Sequence, residues 1–395
     1  MEICIKNGTV VDFSGTFVAD IYIKDGVICE IGRSLIKDCK NVDAKGMTVM
    51  PGFVDLHVHF RDPGFTYKED IESGSKAAVK GGYVMVNLMA NTNPVCSIME
   101  TVNYVINKGK EIGLVDINQV ISITNSFSGD DISHLDKLQK GDIKVISEDG
   151  KDVMRSEVML NAMIKAKEKD ITVMCHCENH NLSSVDMRLA ENTMTWRNLT
   201  LAKYVGCKVH FSHISTKESM EYIIEAKKKG HSVTCEVAPH HIALNSDIEY
   251  RVNPPLREVK DVDYLIKSIK DGYVDSIATD HAPHTEEDKK NGAPGISGIE
   301  TSFGVAYTKL VKGGHIDLSK LSEIMSKKPS EILGVNKGQI SIGYDGDLVI
   351  VDLEKPYEIC KEDLISKGKN TPFDKMLVYG EVITTIKDGK VVYSK

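Results

Sequence analysis

Residues 53–64 read FVDLHVHFRDPG, a run with the pattern of a buried strand that nevertheless carries Asp55, His57, His59 and Arg61. On a strand, residues two apart share a face, so Asp55, His57 and His59 look one way and Leu56, Val58 and Phe60 the other. A lone histidine in such a place reads most simply as a hydrogen-bonded core residue. Two imidazoles on one face offer two nitrogen donors to a common point, which suits zinc or a similar divalent ion. The H-x-H spacing alone has modest specificity, and its weight comes from residues at the ends of other apolar runs. Asp149 follows DIKVIS, His176 lies in ITVMCHC, His213 in KVHFSHIS, and Asp280 ends VDSIATD. Singly, Asp149 before Gly150 could be a turn residue and Asp280 a cap. Together they exceed the needs of one tetrahedral metal with an open position, and a pair of metals fits better. Two such ions polarise a carbonyl while a neighbouring carboxylate takes and returns a proton. Cys175 and Cys177 flank His176, but strand alternation turns them away from it, so they read as packed thiols.

These residues need a frame that brings strand ends together. Between residues 53 and 334, eight short β-rich runs alternate with helical patterns, which predicts a (β/α)8 TIM barrel with its functional groups at the C-terminal mouth of the strands. Residues 1–52 and 335–395 differ in style, alternating apolar and polar positions between turns such as Asn7-Gly8 and Asp25-Gly26. The two ends are expected to pair into one small β-sandwich domain from which the barrel is an insertion.

The 395 residues allow both domains, and the net charge of -8 argues against a general nucleic-acid or anionic-membrane partner. The first residues, MEICIKNGTVV, lack a basic region followed by a long apolar run, and no stretch reads as a membrane span, so a cytoplasmic protein is expected. Nine scattered cysteines read as reduced thiols. No G-x-x-x-x-G-K-[ST], G-x-S-x-G or H-E-x-x-H occurs, which leaves nucleotide-cradling, serine-hydrolase and zincin chemistry without support.

The segments PGFVDLHVHFRDPG, LMANTNP, SEDGK, HCEN, FSHISTKES, RVNPPLR and ATDHAPHT, in that order, resemble the amidohydrolase superfamily and, within it, the bacterial type I dihydroorotases. The resemblance spans nearly the whole chain. It implies zinc-dependent, reversible hydrolysis of dihydroorotate to N-carbamoyl-aspartate in pyrimidine synthesis. Of two zinc ions, it gives one to His57 and His59 and the other to His176 and His213, with Asp149 bridging and Asp280 as ligand and general acid/base. Arg61, Asn91 and His284 resemble the family's hold on the substrate carboxylate, Asn253, Pro294 and Gly295 its hold on the ring, and His59 also faces the substrate. An arginine fork matches a carboxylate. Taken singly, Arg61 could be a surface ion-pair partner, Asn91 and Asn253 turn residues, and His284 a solvated loop residue. The resemblance further implies a homodimer and raises association with aspartate transcarbamoylase. The competing readings are a hydantoinase or allantoinase and a catalytically silent assembly partner; the complete ligand set disfavours the latter. The chain departs from the family pattern at Ala90, at Glu148 and in a shortened His176–His213 stretch. Lys144, if carboxylated, is the alternative to Asp149 as the bridge.

Overall fold

The computed structural model describes residues 2–395. In the terminal segments, alternation decides which of two cores each side chain enters. Glu2–Lys6, Asp20–Lys24, Val27–Gly32 and Lys40–Asp43 form a four-stranded sheet. A six-stranded sheet runs in the order Lys390–Ser394, Glu381–Lys387, Leu348–Asp352, Thr48–Pro51, Thr9–Asp12, Gly15–Val18. Val10, Val49, Leu348, Ile350 and Ile386 face the four-stranded sheet and pack with Ile3, Ile5, Ile21, Ile23 and Ile28. Their neighbours Val11, Met50, Val349 and Val351 turn to the opposite face and join the core of the barrel. The central sheet is therefore buried on both sides, which is why LVIVD at 348–352 is apolar nearly throughout.

Turn chemistry accounts for the hairpins. Asp25 and Gly26, at φ 50° and 83°, close the pair Lys24–Val27, and Asp388-Gly389 does the same between Lys387 and Lys390. Asn7-Gly8 does not close a hairpin, contrary to its sequence pattern. Glu2–Lys6 and Thr9–Asp12 pair in different sheets, and the chain crosses between them at Gly8. A Cβ there would meet Val49 Cγ2 at 2.6 Å, so close approach of the backbone is what the glycine provides.

Thr48–Pro51 passes through Gly52 directly into the first barrel strand, Phe53–Val58. The remaining barrel strands are Tyr83–Leu88, Asp116–Gln119 with Ile121–Ser122, Val145–Ser147, Thr172–Cys175, Val209–Phe211, Val233–Val237 and Ser276–Ile277, each parallel to its neighbour. The third strand is in two pieces because its first half pairs with the second strand and its last two residues with the fourth. Closure between the eighth and first strands is made by side chain as well as backbone. His59 N donates to His281 O (2.9 Å), and the Asp55 carboxylate accepts from Thr279 N (3.0 Å) and Thr279 Oγ1 (2.6 Å). Asp55 thus pins the barrel shut rather than joining His57 and His59 at a common point. Burial pushes its carboxyl up to about 7 against those hydrogen bonds.

No helix among the described residues is long and apolar enough to cross a membrane, and all nine cysteines are free. Phe53, fully buried, stacks on Phe303 (4.8 Å) and meets the edge of Tyr83 (5.7 Å) where the barrel abuts the six-stranded sheet. Phe53→Ala is expected to destabilise the protein by about 3–5 kcal/mol, read as a lowered midpoint in urea unfolding.

Candidate metal centre and active site

The strands end at a cavity of about 230 Å3 lined by His59, Arg61, Asn91, Asp149, His176, His213, Asn253, Asp280, His284, Pro294 and Gly295. His57 lies behind it, fully buried, its ring 5.2 Å from that of His59 and 5.0 Å from that of His213. For His57, His59 and His176, the inward-pointing nitrogen is set by what holds the other side of the ring. Glu236 Oε1 lies 2.8 Å from His57 Nδ1, Asn91 Oδ1 2.8 Å from His59 Nδ1, and Glu178 Oε2 3.1 Å from His176 Nε2. An oxygen acceptor on the outer nitrogen fixes a proton there and leaves the inner nitrogen as the one that can offer a lone pair to a cation.

Those lone pairs converge on carboxylates. Asp149 Oδ1 lies 3.2 Å from His57 Nε2, 3.3 Å from His176 Nδ1 and 3.6 Å from His213 Nε2, while its Oδ2 is 3.5 Å from His59 Nε2. Asp280 Oδ1 is 3.1 Å from His59 Nε2 and 3.6 Å from His57 Nε2. Two groups are close enough to hold a cation, His57–Asp149–His213 and His57–His59–Asp280. His57 Nε2 and Asp149 Oδ1 are buried, with no hydrogen-bond partner among the described residues. Two acceptor atoms facing each other in that way, among further nitrogen and oxygen donors, fit a divalent metal. Burial opposes charge on Asp149 and Asp280, but the surrounding imidazoles, with His57 and His176 raised above the usual imidazole range by the carboxylates they face, outweigh it and hold both well below the usual carboxylate range. A metal binding there would displace the protons of the inner nitrogens.

Backbone strain collects at the same place. Arg61, His213 and Asp280 have φ of 60°, 34° and 48°, a region that side-chain-bearing residues seldom enter. Gly150, at φ 82°, turns the chain directly after Asp149. Lys144 sits at the other end of the fourth strand, where its Nζ donates to Leu333 O (2.6 Å) and Gly334 O (3.2 Å), outside the cavity. Cys175 and Cys177 are buried, and burial pushes both thiols up.

One corner of the cavity is cationic. His284 lies between Arg61 Nη2, 3.4 Å from its Nε2, and Lys68 Nζ, 3.4 Å from its Nδ1. Burial, Arg61 and Lys68 together lower its imidazole to about 3, so the ring is neutral at physiological pH. Arg61 Nε is buried without a hydrogen-bond partner, and Asp288, 3.2 Å from Lys68, is the carboxylate paired there. Such a corner can receive an anion. Asn253 directs its amide to Glu178 Oε2 (2.8 Å), linking the ring-side loop to the support of His176. Motif and spacing alone do not single out Lys68, Glu178 or Glu236. Glu236, a charged residue inside the apolar run SVTCEVAP, was the signal available for one of them.

A closed parallel barrel whose mouth gathers four histidines and two aspartates is the architecture of a metal-dependent hydrolase. Residues 48–392 match the profile of the Amidohydrolase family, and the chain belongs to that family. It is 51% identical over 398 residues to a dihydroorotase of Clostridium botulinum (strain Eklund 17B / Type B), covering 100% of both chains. It is 40% identical to a dihydroorotase of Ruminiclostridium cellulolyticum, covering 100% of this chain and 99% of the relative. Among solved structures it is similar to an L-hydantoinase (dihydropyrimidinase) from Arthrobacter aurescens, with a TM-score of 0.90, 26% identity, and coverage of 100% and 96%. A dihydropyrimidinase from Brevibacillus agri NCHU1002 gives a TM-score of 0.88 at 25% identity, with coverage of 100% and 95%.

Glu236 also receives His210 Nε2 at 3.0 Å, so its carboxylate is held from two sides. Glu236→Ala is expected to weaken divalent-metal affinity by about 10–100-fold, and Glu236→Gln, which keeps an acceptor, by less. Competition against a chromophoric chelator measures both.

Proposed function

We propose that the protein is a dihydroorotase, hydrolysing the ring amide of (S)-dihydroorotate to N-carbamoyl-L-aspartate and running in reverse for pyrimidine synthesis, with two zinc ions per subunit. The reading takes the barrel as residues 53–334 and the small domain as 1–52 with 335–395. The observation that carries it is the corner formed by Arg61 and neutral His284 beside the convergent donors, with Lys68 on the other nitrogen of that imidazole. Dihydroorotate presents a carboxylate to such a corner, whereas a plain hydantoin or dihydropyrimidine ring has none.

His57, His59, Asp149, His176, His213 and Asp280 would hold the metals, with Asp149 between them, one oxygen toward His57, His176 and His213 and the other toward His59. When bound, the metals polarise the amide carbonyl and acidify water. Asp280 stands ready as a carboxylate to take the proton of the attacking water and return it to the ring nitrogen as the C–N bond breaks. Arg61 and His284 orient the substrate through its carboxylate, and Asn91 and Asn253 keep the imidazoles and the ring loop in register. The backbone at Pro294 and Gly295 borders the ring. The reading extends to a cytoplasmic homodimer and to association with aspartate transcarbamoylase, both open to sedimentation with the purified partner.

Ring opening assayed on dihydroorotate, hydantoin and allantoin is expected to favour dihydroorotate. Arg61→Met should cost about 1.5–3 kcal/mol in kcat/KM on dihydroorotate and far less on the uncharged dihydrouracil. Equal losses on both would make Arg61 a structural residue. Stripping with a chelator should abolish turnover and added zinc should restore it, since water near neutral pH is otherwise a poor nucleophile; full activity in protein shown to be metal-free would overturn the mechanism.

A further inference from the structure

Three backbone groups and one hydroxyl at the edge of the cavity end on one side chain that comes from outside the barrel. Asn370 Oδ1 accepts from His284 N (2.8 Å) and Ser297 Oγ (2.8 Å), and its Nδ2 donates to Ala282 O (3.1 Å) and Gly295 O (3.0 Å). The Asn370 carbonyl accepts from Ser297 N at 2.8 Å. An amide has two donor hydrogens and two acceptor lone pairs, and here all four are used. Ala282, His284 and Gly295 all line the cavity. Gly295 O also accepts from Lys289 Nζ (3.0 Å), which bonds Arg251 O and Ala293 O as well, so the loop is fastened from both sides.

The segment that presents Asn370 is itself anchored. The fully buried Glu69 accepts from Ser366 Oγ and from Lys367 N (3.3 Å), and Glu300 accepts from Ile365 N and Ser366 N, both at 2.9 Å. At Gly368 a Cβ would meet His284 N and Pro283 Cβ, each at 2.7 Å, so the segment lies flat on the turn that carries His284.

We infer that Asn370 is a positioning residue for substrate binding: by holding the backbone of residues 282–297, it sets where His284 meets the substrate's acidic group and where Gly295 meets the ring. The inference rests on the proposed function for the identity of that substrate. Asn370 touches no metal-type donor, so its role is separable from metal loading.

Asn370→Asp differs by one group and sets an acceptor against the carbonyls of Ala282 and Gly295; Asn370→Ala removes all four side-chain bonds. Both variants are expected to raise KM for dihydroorotate by about tenfold or more, leave kcat within about threefold and leave the bound zinc unchanged. Hydrogen exchange should accelerate at the amide of His284, which is bonded to the Asn370 side chain, with protection of the barrel strands retained. Faster exchange with an unaltered KM, or exchange as slow as in the wild type, overturns the inference. So does a parallel fall of kcat, zinc content and thermal midpoint in both variants, which would make Asn370 a general structural residue. If the wild type leaves dihydroorotate untouched, the proposed function fails instead, and the same KM and exchange comparison on the cyclic amide it does open decides the role of Asn370.

Discussion

Four imidazoles and two carboxylates meet at the barrel mouth, none more than 7% exposed, and so dense a set of donors keeps one arrangement only if each is held from behind. Glu236, Asn91 and Glu178 do this for His57, His59 and His176, each accepting at the outer nitrogen. Asp55 does it indirectly for Asp280, by tying Thr279 to the first strand one residue earlier. The left-handed backbone at Arg61, His213 and Asp280 is the conformational cost of aiming those side chains, and the close-packed barrel beneath supports it.

The outline of this arrangement is legible in the sequence because strand periodicity assigns faces. His57 and His59 reveal themselves by a spacing of two, and Asp149, His176, His213 and Asp280 by ending apolar runs. Periodicity does not name partners. Asp55 shares the parity of His57, yet Thr279 captures it, a contact between residues 224 apart in the chain. Lys144 and Asp149 bracket one short strand, and the rise along it sends them to opposite ends of the barrel. Asn7-Gly8 has hairpin composition but serves a crossing between sheets, because the pairing partners of Glu2–Lys6 are strands that come later in the chain. The eighth strand is shorter than its apolar run since the chain beyond Ile277 turns toward the site.

The six-stranded sheet gives the two terminal segments a common purpose. Odd and even positions of Thr9–Asp12, Thr48–Pro51 and Leu348–Asp352 enter different cores, so the sandwich and the barrel are joined by single strands rather than by a surface contact. A slip of one residue in any of them would exchange the side chains of both cores at once.

The same sheet imposes an order on biosynthesis. Thr48–Pro51 pairs on one side with Thr9–Asp12, available early, and on the other with Leu348–Asp352, which the ribosome reaches only after the whole barrel has been translated. Throughout that interval an apolar strand offers an unpaired edge to any neighbouring chain. Neither core can be completed before the C-terminal segment has been made, since Leu348 and Ile350 belong to one and Val349 and Val351 to the other.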